Sequence, residues 1–252
     1  MPRVIAIANQ KGGVGKTTTT LTLGAALVER GRSVLLIDLD PQSSLTIACG
    51  IDAEGASMYE VLGSTEEGSK TLRDIARPIA PRFFLAPSDI ALSRSEAGLI
   101  VRMGRESVLK KALEGVRFDY VLIDCLPSLG VLTINALVAA QEVIIPTQCE
   151  YLALRGIALF YQTLREVQSI NPGLRVLGIL PTFFDPRLVH ARDVLQAMKK
   201  KGLPVFDVII GRSVRFAEAT LAGESILSYA SDNPGAEAYR TLAQLVDREM
   251  TP

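Results

Sequence analysis

The stretch Gln10-Lys11-Gly12-Gly13-Val14-Gly15-Lys16-Thr17-Thr18 decides the fold. An apolar run at 4–8 precedes it and a helical pattern at 17–30 follows, so a glycine-rich loop joins a buried strand to a helix. Backbone N–H groups of such a loop can wrap phosphates while the helix N-terminus faces the anion. Gly15-Lys16-Thr17 matches the end of the phosphate-loop pattern G-x-x-x-x-G-K-[ST], although Gln10 stands where its first glycine belongs. Lys16 is expected to reach the β and γ phosphates of a nucleotide, and Thr17 to offer its hydroxyl to Mg²⁺. Gly12, Gly13 and Gly15 permit the close approach that a Cβ would obstruct, and Val14 and Thr18 complete the expected cradle.

Outward from this loop, strands are expected at 4–8, 33–37, 82–86, 120–123, 143–145, 176–180 and 205–210. Helices are expected at 17–30, 107–115, 132–140, 154–169, 189–200 and 236–249, with a short one near 57–62 inside an irregular excursion at 51–81. In the first helix Leu21, Ala25 and Val28 form one stripe at spacings of four and three. Several strands are continuously apolar, as strands covered on both faces are. The alternating order predicts an α/β fold: an open, twisted, mostly parallel sheet flanked by helices. No repeat or linker divides the chain, so one domain over 1–252 is expected.

Composition narrows the function. Of the 252 residues, 48% are hydrophobic, which argues against disorder. Lys plus Arg and Asp plus Glu are 27 each, which excludes a constitutively basic nucleic-acid-coating protein but not a local basic patch. Three scattered cysteines (Cys49, Cys125, Cys149) and one histidine (His190) exclude a disulfide framework and a zinc site of the usual Cys/His kind. The first residues show no secretory signal, and no apolar run is long enough to span a bilayer, so a cytoplasmic protein is expected.

Two acidic segments follow strands. In Asp38-Leu39-Asp40-Pro41-Gln42 the carboxylates at i and i+2 point the same way and can overhang the sheet edge where open α/β folds bind ligands; helix capping is the alternative. Tyr120-Val121-Leu122-Ile123-Asp124 is a buried run with one carboxylate at its tip, suited to a metal-bound water. Asp124 is therefore assigned to the Mg²⁺ shell. Cys125 reads as a packing residue.

With Lys11 included, the loop reads KGGVGKT. This resembles the deviant Walker A motif of the ParA/MinD family of ATPases, which have the P-loop NTPase fold. The likeness extends to the DLDPQ segment at 38–42, Asn135-Ala136-Leu137, the segment 145–151 and Gly235-Ala236-Glu237-Ala238-Tyr239. It looks nearest to the short Soj-like partition proteins, and the chain starts on the phosphate-loop strand without a helix-turn-helix before it. The resemblance implies Mg²⁺-dependent ATP hydrolysis in a homodimer that sandwiches ATP, with Lys11 reaching the partner's nucleotide. It also implies that Asp40 orients or deprotonates the attacking water and that Asp38 supports the Mg²⁺ and nucleotide region. ATP-bound dimers of the family bind double-stranded DNA without sequence preference. A ParB-type partner stimulates their hydrolysis, so nucleoid association is expected.

The neutral total is unevenly spread. Residues 187–215 carry seven basic and two acidic side chains, a net of +5. Such a region can hold phosphate backbone without reading bases. The likeness assigns Arg215, then Arg187 and Arg212, to DNA; an ordinary solvated face is the alternative. The chain also departs from the family. Leu126 and Gly211 stand where prolines are usual, the latter near the adenine, and Phe183 replaces a methionine. Phe183 either stacks on the base or packs in the core. The end at 239–252 lacks a Lys/Arg-rich polar face, so membrane attachment is not expected. Alternative readings are a relative positioning another cargo, a MinD-like regulator, and a metabolic P-loop enzyme or iron–sulfur metallochaperone; Cys125 lacks a convincing second ligand for the last.

Overall fold

The computed structural model describes residues 2–52, 54–63 and 70–248. Its strands are β1 (Arg3–Ile7), β2 (Val34–Asp38), β3 (Arg77–Ala80), β4 (Phe83–Ala86), β5 (Tyr120–Asp124), β6 (Glu142–Gln148) and β7 (Arg175–Thr182). The helices are α1 (Lys16–Glu29), α2 (Ser44–Ala48), α3 (Met58–Leu62), α4 (Leu72–Ile75), α5 (Leu92–Ile100), α6 (Val108–Ala112), α7 (Val131–Ala139), α8 (Ala153–Gln168), α9 (Val189–Lys200), α10 (Arg215–Leu221), α11 (Ile226–Tyr229) and α12 (Pro234–Arg248). The sheet runs β3-β4-β2-β5-β1-β6-β7, parallel throughout except for the β3–β4 pair. This is the expected open α/β architecture, mixed only at one edge.

The pleat explains the two cores. On β1, Val4 and Ala6 join one buried cluster and Ile5 and Ile7 the other. On β5, Val121 and Ile123 face the first, and Tyr120 and Leu122 the second. Helix α1 packs closely on the sheet because Gly24 has no side chain. A Cβ there would lie 2.8 Å from Leu36 and 2.9 Å from Phe83. The expected stripe of Leu21, Ala25 and Val28 is only the flank of a wider buried face that includes Leu23, Ala26 and Leu27. The helix is covered by α12 as well as by the sheet, so one stripe does not account for its burial.

The expected strand at 205–210 does not form. The segment meets β7 through isolated bonds, Phe206 N–H to Ile179 O at 3.0 Å and Ile210 N–H to Pro181 O at 2.9 Å. Pro181 has no N–H to continue a ladder. The excursion at 51–81 instead contributes β3 and two short helices, α3 and α4, each opened by a capping box, Ser57 with Glu60 and Thr71 with Asp74. Helices α2, α5, α10 and α11 were not expected. Residues 53 and 64–69 of that excursion, and 249–252 of the C-terminal end, lie outside the described residues.

Candidate nucleotide site

The loop after β1 reaches α1 through Gly15, whose φ of 86° is left-handed and which places no side-chain cap on the helix. Gly13 is also left-handed at φ 69°. These two positions need glycine, and the uncapped N–H groups of α1 are left for an anion. The loop is tied down behind: Thr182 Oγ1 donates to Val14 O at 2.8 Å, and Gln148 Nε2 to Gly13 O at 2.9 Å. A cavity of about 330 Å³ opens in front, lined by Gly12, Gly13, Gly15, Lys16, Thr17, Thr18, Asp40 and Ser44, with Cys125, Pro127 and Phe183.

Lys16 is 7% exposed, and its Nζ donates to Lys11 O at 3.2 Å. Burial lowers its pKa, and the nearby Asp124 charge offsets only part of that. Thr17 Oγ1 donates to Asp124 Oδ2 at 2.7 Å, and Thr20 Oγ1 to Asp124 Oδ1 at 3.3 Å. Asp124 lies in register with Asp38 on the neighbouring strand. Burial, then the Asp38 charge, pushes the Asp124 carboxyl up to about 8. Asp38 rises to about 6, mainly through burial.

Asp38 and Asp40 do not overhang the edge together. Asp38 is fully buried, accepting Asp40 N–H at 3.0 Å, Thr46 N–H at 2.9 Å and the Thr46 hydroxyl at 2.7 Å. Its oxygens hold the loop that presents Asp40, so it acts on the pocket through its neighbours. Asp40 lines the pocket and accepts Gln42 N–H at 2.9 Å, an Asx turn that fixes its carboxylate. Thr20 and Thr46, which hold the two buried carboxylates, gave no signal in the sequence.

Lys11 is held in its own subunit. Its Nζ lies 2.5 Å from Glu150 Oε2 and 3.2 Å from Gln148 Oε1. Beside it is a cavity of about 930 Å³, lined by Tyr151, Leu152, Leu159 and His190 among others. Tyr151 is 90% exposed and Leu152 65%.

Phe183 takes a left-handed backbone, φ 49°, and packs 3.4 Å from where a Cβ on Gly15 would lie. The Arg212 guanidinium sits 5.8 Å above its ring. Gly211 and Phe183 share a residual cleft of only about 20 Å³ with Phe216 and Tyr239, so this flank is nearly filled. Arg187 is bound bidentately by Asp185, 2.7 Å at the closest atoms, and Arg215 by Glu218 at 2.7 Å. Arg212 thus lies over the Phe183 ring, while Arg187 and Arg215 carry acidic partners. Counting Asp185 and Glu218 lowers the local net charge from +5 to +3.

The donor set fits Mg²⁺. That ion needs near-octahedral oxygen, much of it from water and phosphate, with one or two protein groups. Thr17 with Asp124 behind it is such a set. Among the described residues no cluster of three or more His, Cys, Asp or Glu forms an all-protein cage.

Fold and loop together define a P-loop nucleotide-hydrolysing enzyme. A family model described as AAA domain matches residues 2–176. The chromosome-partitioning ATPase Soj of Thermus thermophilus is 43% identical over 97% of this chain and 95% of its own length. A solved Mycobacterium smegmatis structure, named cobyrinic acid a,c-diamide synthase with bound ATP analog and magnesium, is 44% identical, covers 99% and 96% of the two chains and superposes with a TM-score of 0.85. The septum site-determining protein MinD of Pyrococcus horikoshii, complexed with Mg-ADP, is 27% identical, covering 99% and 97%, with a TM-score of 0.79. The chain belongs to the ParA/MinD family of deviant Walker A P-loop ATPases. It binds and hydrolyses ATP with Mg²⁺.

Proposed function

We propose that this chain is a one-domain, nucleotide-switched partition ATPase that dimerises on ATP, holds double-stranded DNA without sequence preference and is released by a ParB-type partner at the nucleoid. The observation that carries the reading is Lys11, a second lysine redundant for a single site, poised beside an exposed apolar face at the edge of the pocket. Exposed apolar patches of this kind mark association surfaces.

In this reading Lys16 and the N–H groups of Gly12, Gly13, Val14, Gly15, Thr17 and Thr18 bind the phosphates. Thr17 and Asp124 hold Mg²⁺, with Asp38 supporting them through the Asp40 loop. Bound Mg²⁺ supplies positive charge against the β and γ phosphates. Asp40 orients the attacking water. On dimer closure Lys11 leaves Glu150 and crosses to the partner's phosphate, adding a cation where charge develops. Phe183 and Gly211 flank the base, and Arg187, Arg212 and Arg215 meet the DNA backbone. Loss of the γ phosphate reopens the pair.

The test is retention on random-sequence duplex DNA. Binding that appears only with ATP and falls steeply with salt supports the reading. An ATP-bound dimer that ignores DNA overturns the DNA step and favours a different cargo.

The name of the M. smegmatis relative suggests a second reading, ATP-dependent amidation. Nitrogen release from glutamine in such chemistry calls for an activated thiolate or an equivalent nucleophile. Cys49, Cys125 and Cys149 are all buried, and burial raises each thiol above its usual range. ATP-dependent amidation of cobyrinic acid by the purified protein would establish this reading.

A further inference from the structure

Away from the phosphate loop, a groove of about 870 Å³ opens between α4, α6 and the loop at 113–118. Its floor is apolar: Leu35, Leu72, Val116, and Phe84 packed edge-to-face on Phe118 with ring centroids 5.5 Å apart. Leu35 lies near the start of β2, whereas Asp38 and the nucleotide pocket lie at its far end. The groove is thus separate from the site described above.

The rim is basic. Arg73, Lys111 and Arg117 line it and are exposed, against one carboxylate, Glu114. None of the three cations makes an ion pair among the described residues, in contrast to Arg187, Arg215 and Lys199, which all do. Arg73 and Lys111 each occupy the last turn of a short helix, where a cation complements the exposed carbonyls. Arg117 lies outside the helices and has no such partner. Asp74, the acidic neighbour of Arg73, is engaged by the N–H and hydroxyl of Thr71 at 2.8 and 2.7 Å.

An apolar floor with an aromatic pair, flanked by cations that make no ion pair among the described residues, complements a segment that carries a bulky apolar side chain between carboxylates. The volume lies in the range of ligand clefts. We propose that this groove docks an acidic peptide of a partner protein, its aromatic or leucine side chain on Phe84 and Phe118 and its carboxylates on Arg73, Lys111 and Arg117. The charge pattern selects against a basic segment. It also makes this surface distinct in kind from the phosphate pocket, whose cation Lys16 is buried.

The test uses the full chain and a fluorescein-labelled octapeptide in which a central phenylalanine is flanked by aspartate and glutamate. Fluorescence anisotropy should show saturable binding that weakens with salt. The double variant K111E/R117E should weaken it at least tenfold, with ATP hydrolysis unchanged because the groove lies away from the phosphate loop. A peptide with alanine for phenylalanine should bind several-fold more weakly, and a lysine-flanked peptide should not bind. Absence of saturable binding to the wild-type protein overturns the proposal. So does equal binding by K111E/R117E, or by the alanine peptide. Circular dichroism of the double variant confirms folding; if it is misfolded, the exposed single variant R117E is read in its place. These outcomes leave the DNA-retention test untouched.

Discussion

The two ends of the sheet handle charge in opposite ways. At the N-terminal ends of the strands every buried charge has partners. Glu142 is bound by Arg3 at 2.6 Å and by Arg175. Asp247 of α12 accepts Arg30 and Arg32 at 2.8 Å and the Tyr120 hydroxyl at 3.0 Å. Burial alone would raise Asp247, but the bonds from Arg32, Arg30 and Tyr120 hold its pKa below the usual carboxylate range. At the C-terminal ends the balance is reversed. Asp124 and Asp38 face each other across neighbouring strands with raised pKa values, and Lys16 is buried with a lowered one. The first arrangement fastens α12 and β5 together. The second leaves charges under-compensated by protein partners and suited to Mg²⁺ and phosphate, a pattern that clusters at functional sites.

The largest effect that would break this comparison is at Lys16. Lys16→Ala should lower ATP hydrolysis by about 100-fold or more, measured by phosphate release. A near-normal rate would remove Lys16 from the site. Next comes Asp247→Asn, which leaves Arg30 and Arg32 without their carboxylate. Its expected cost is about 2–4 kcal/mol in urea unfolding, at or just below the range for breaking a buried pair because both arginines are partly exposed. No loss of stability would mean that the paired end contributes little. A smaller effect is expected at the exposed Lys11–Glu150 pair. Glu150→Gln should favour the ATP-state dimer by up to about fivefold in sedimentation, the free energy of an exposed ion pair. Weaker dimerisation would give Glu150 a role in the dimer itself.

In pH dependence the two ends have opposite signs. Asp124 and Asp38 bind protons in the folded state at pH values where the unfolded chain has lost them. Their contribution to stability therefore falls as pH rises from the usual carboxylate range toward about 8 for Asp124 and about 6 for Asp38. Asp247 has a lowered pKa, as does Asp119, which accepts the Ser33 N–H and hydroxyl at 2.7 Å just before β2 and β5, so their contribution is present above the ordinary carboxylate pKa and is lost as pH falls through the folded value. The nucleotide-free protein should thus be most stable in mildly acidic buffer. Saturating Mg²⁺ and ATP should flatten the decline on the alkaline side, as read by thermal unfolding.

Much of the phosphate end was legible in the sequence. Gly15-Lys16-Thr17 and the strand-tip Asp124 are local patterns, and the structure brings Lys16, Thr17 and Asp40 to one pocket with Asp124 directly behind. The mostly parallel sheet followed from the alternating strand–helix order, and continuous apolar runs marked its strands as covered on both faces. What was not legible depends on distant partners. Lys11 meets Glu150 across a sequence separation of 139, and Thr46 satisfies Asp38 from the following helix. The segment at 205–210 has strand-like residues but meets Pro181 on β7, which cannot donate. The Arg30–Arg32–Asp247 anchor links the two ends of the chain, and no spacing announces it.

The central claim is that the phosphate end carries charge at the expense of stability. It is tested most directly by urea unfolding of nucleotide-free Asp124→Asn beside the wild type, above pH 8, where the carboxyl that titrates at about 8 is ionised. The variant should be at least as stable as the wild type while hydrolysing ATP far more slowly. A loss of stability comparable to that of Asp247→Asn would contradict it.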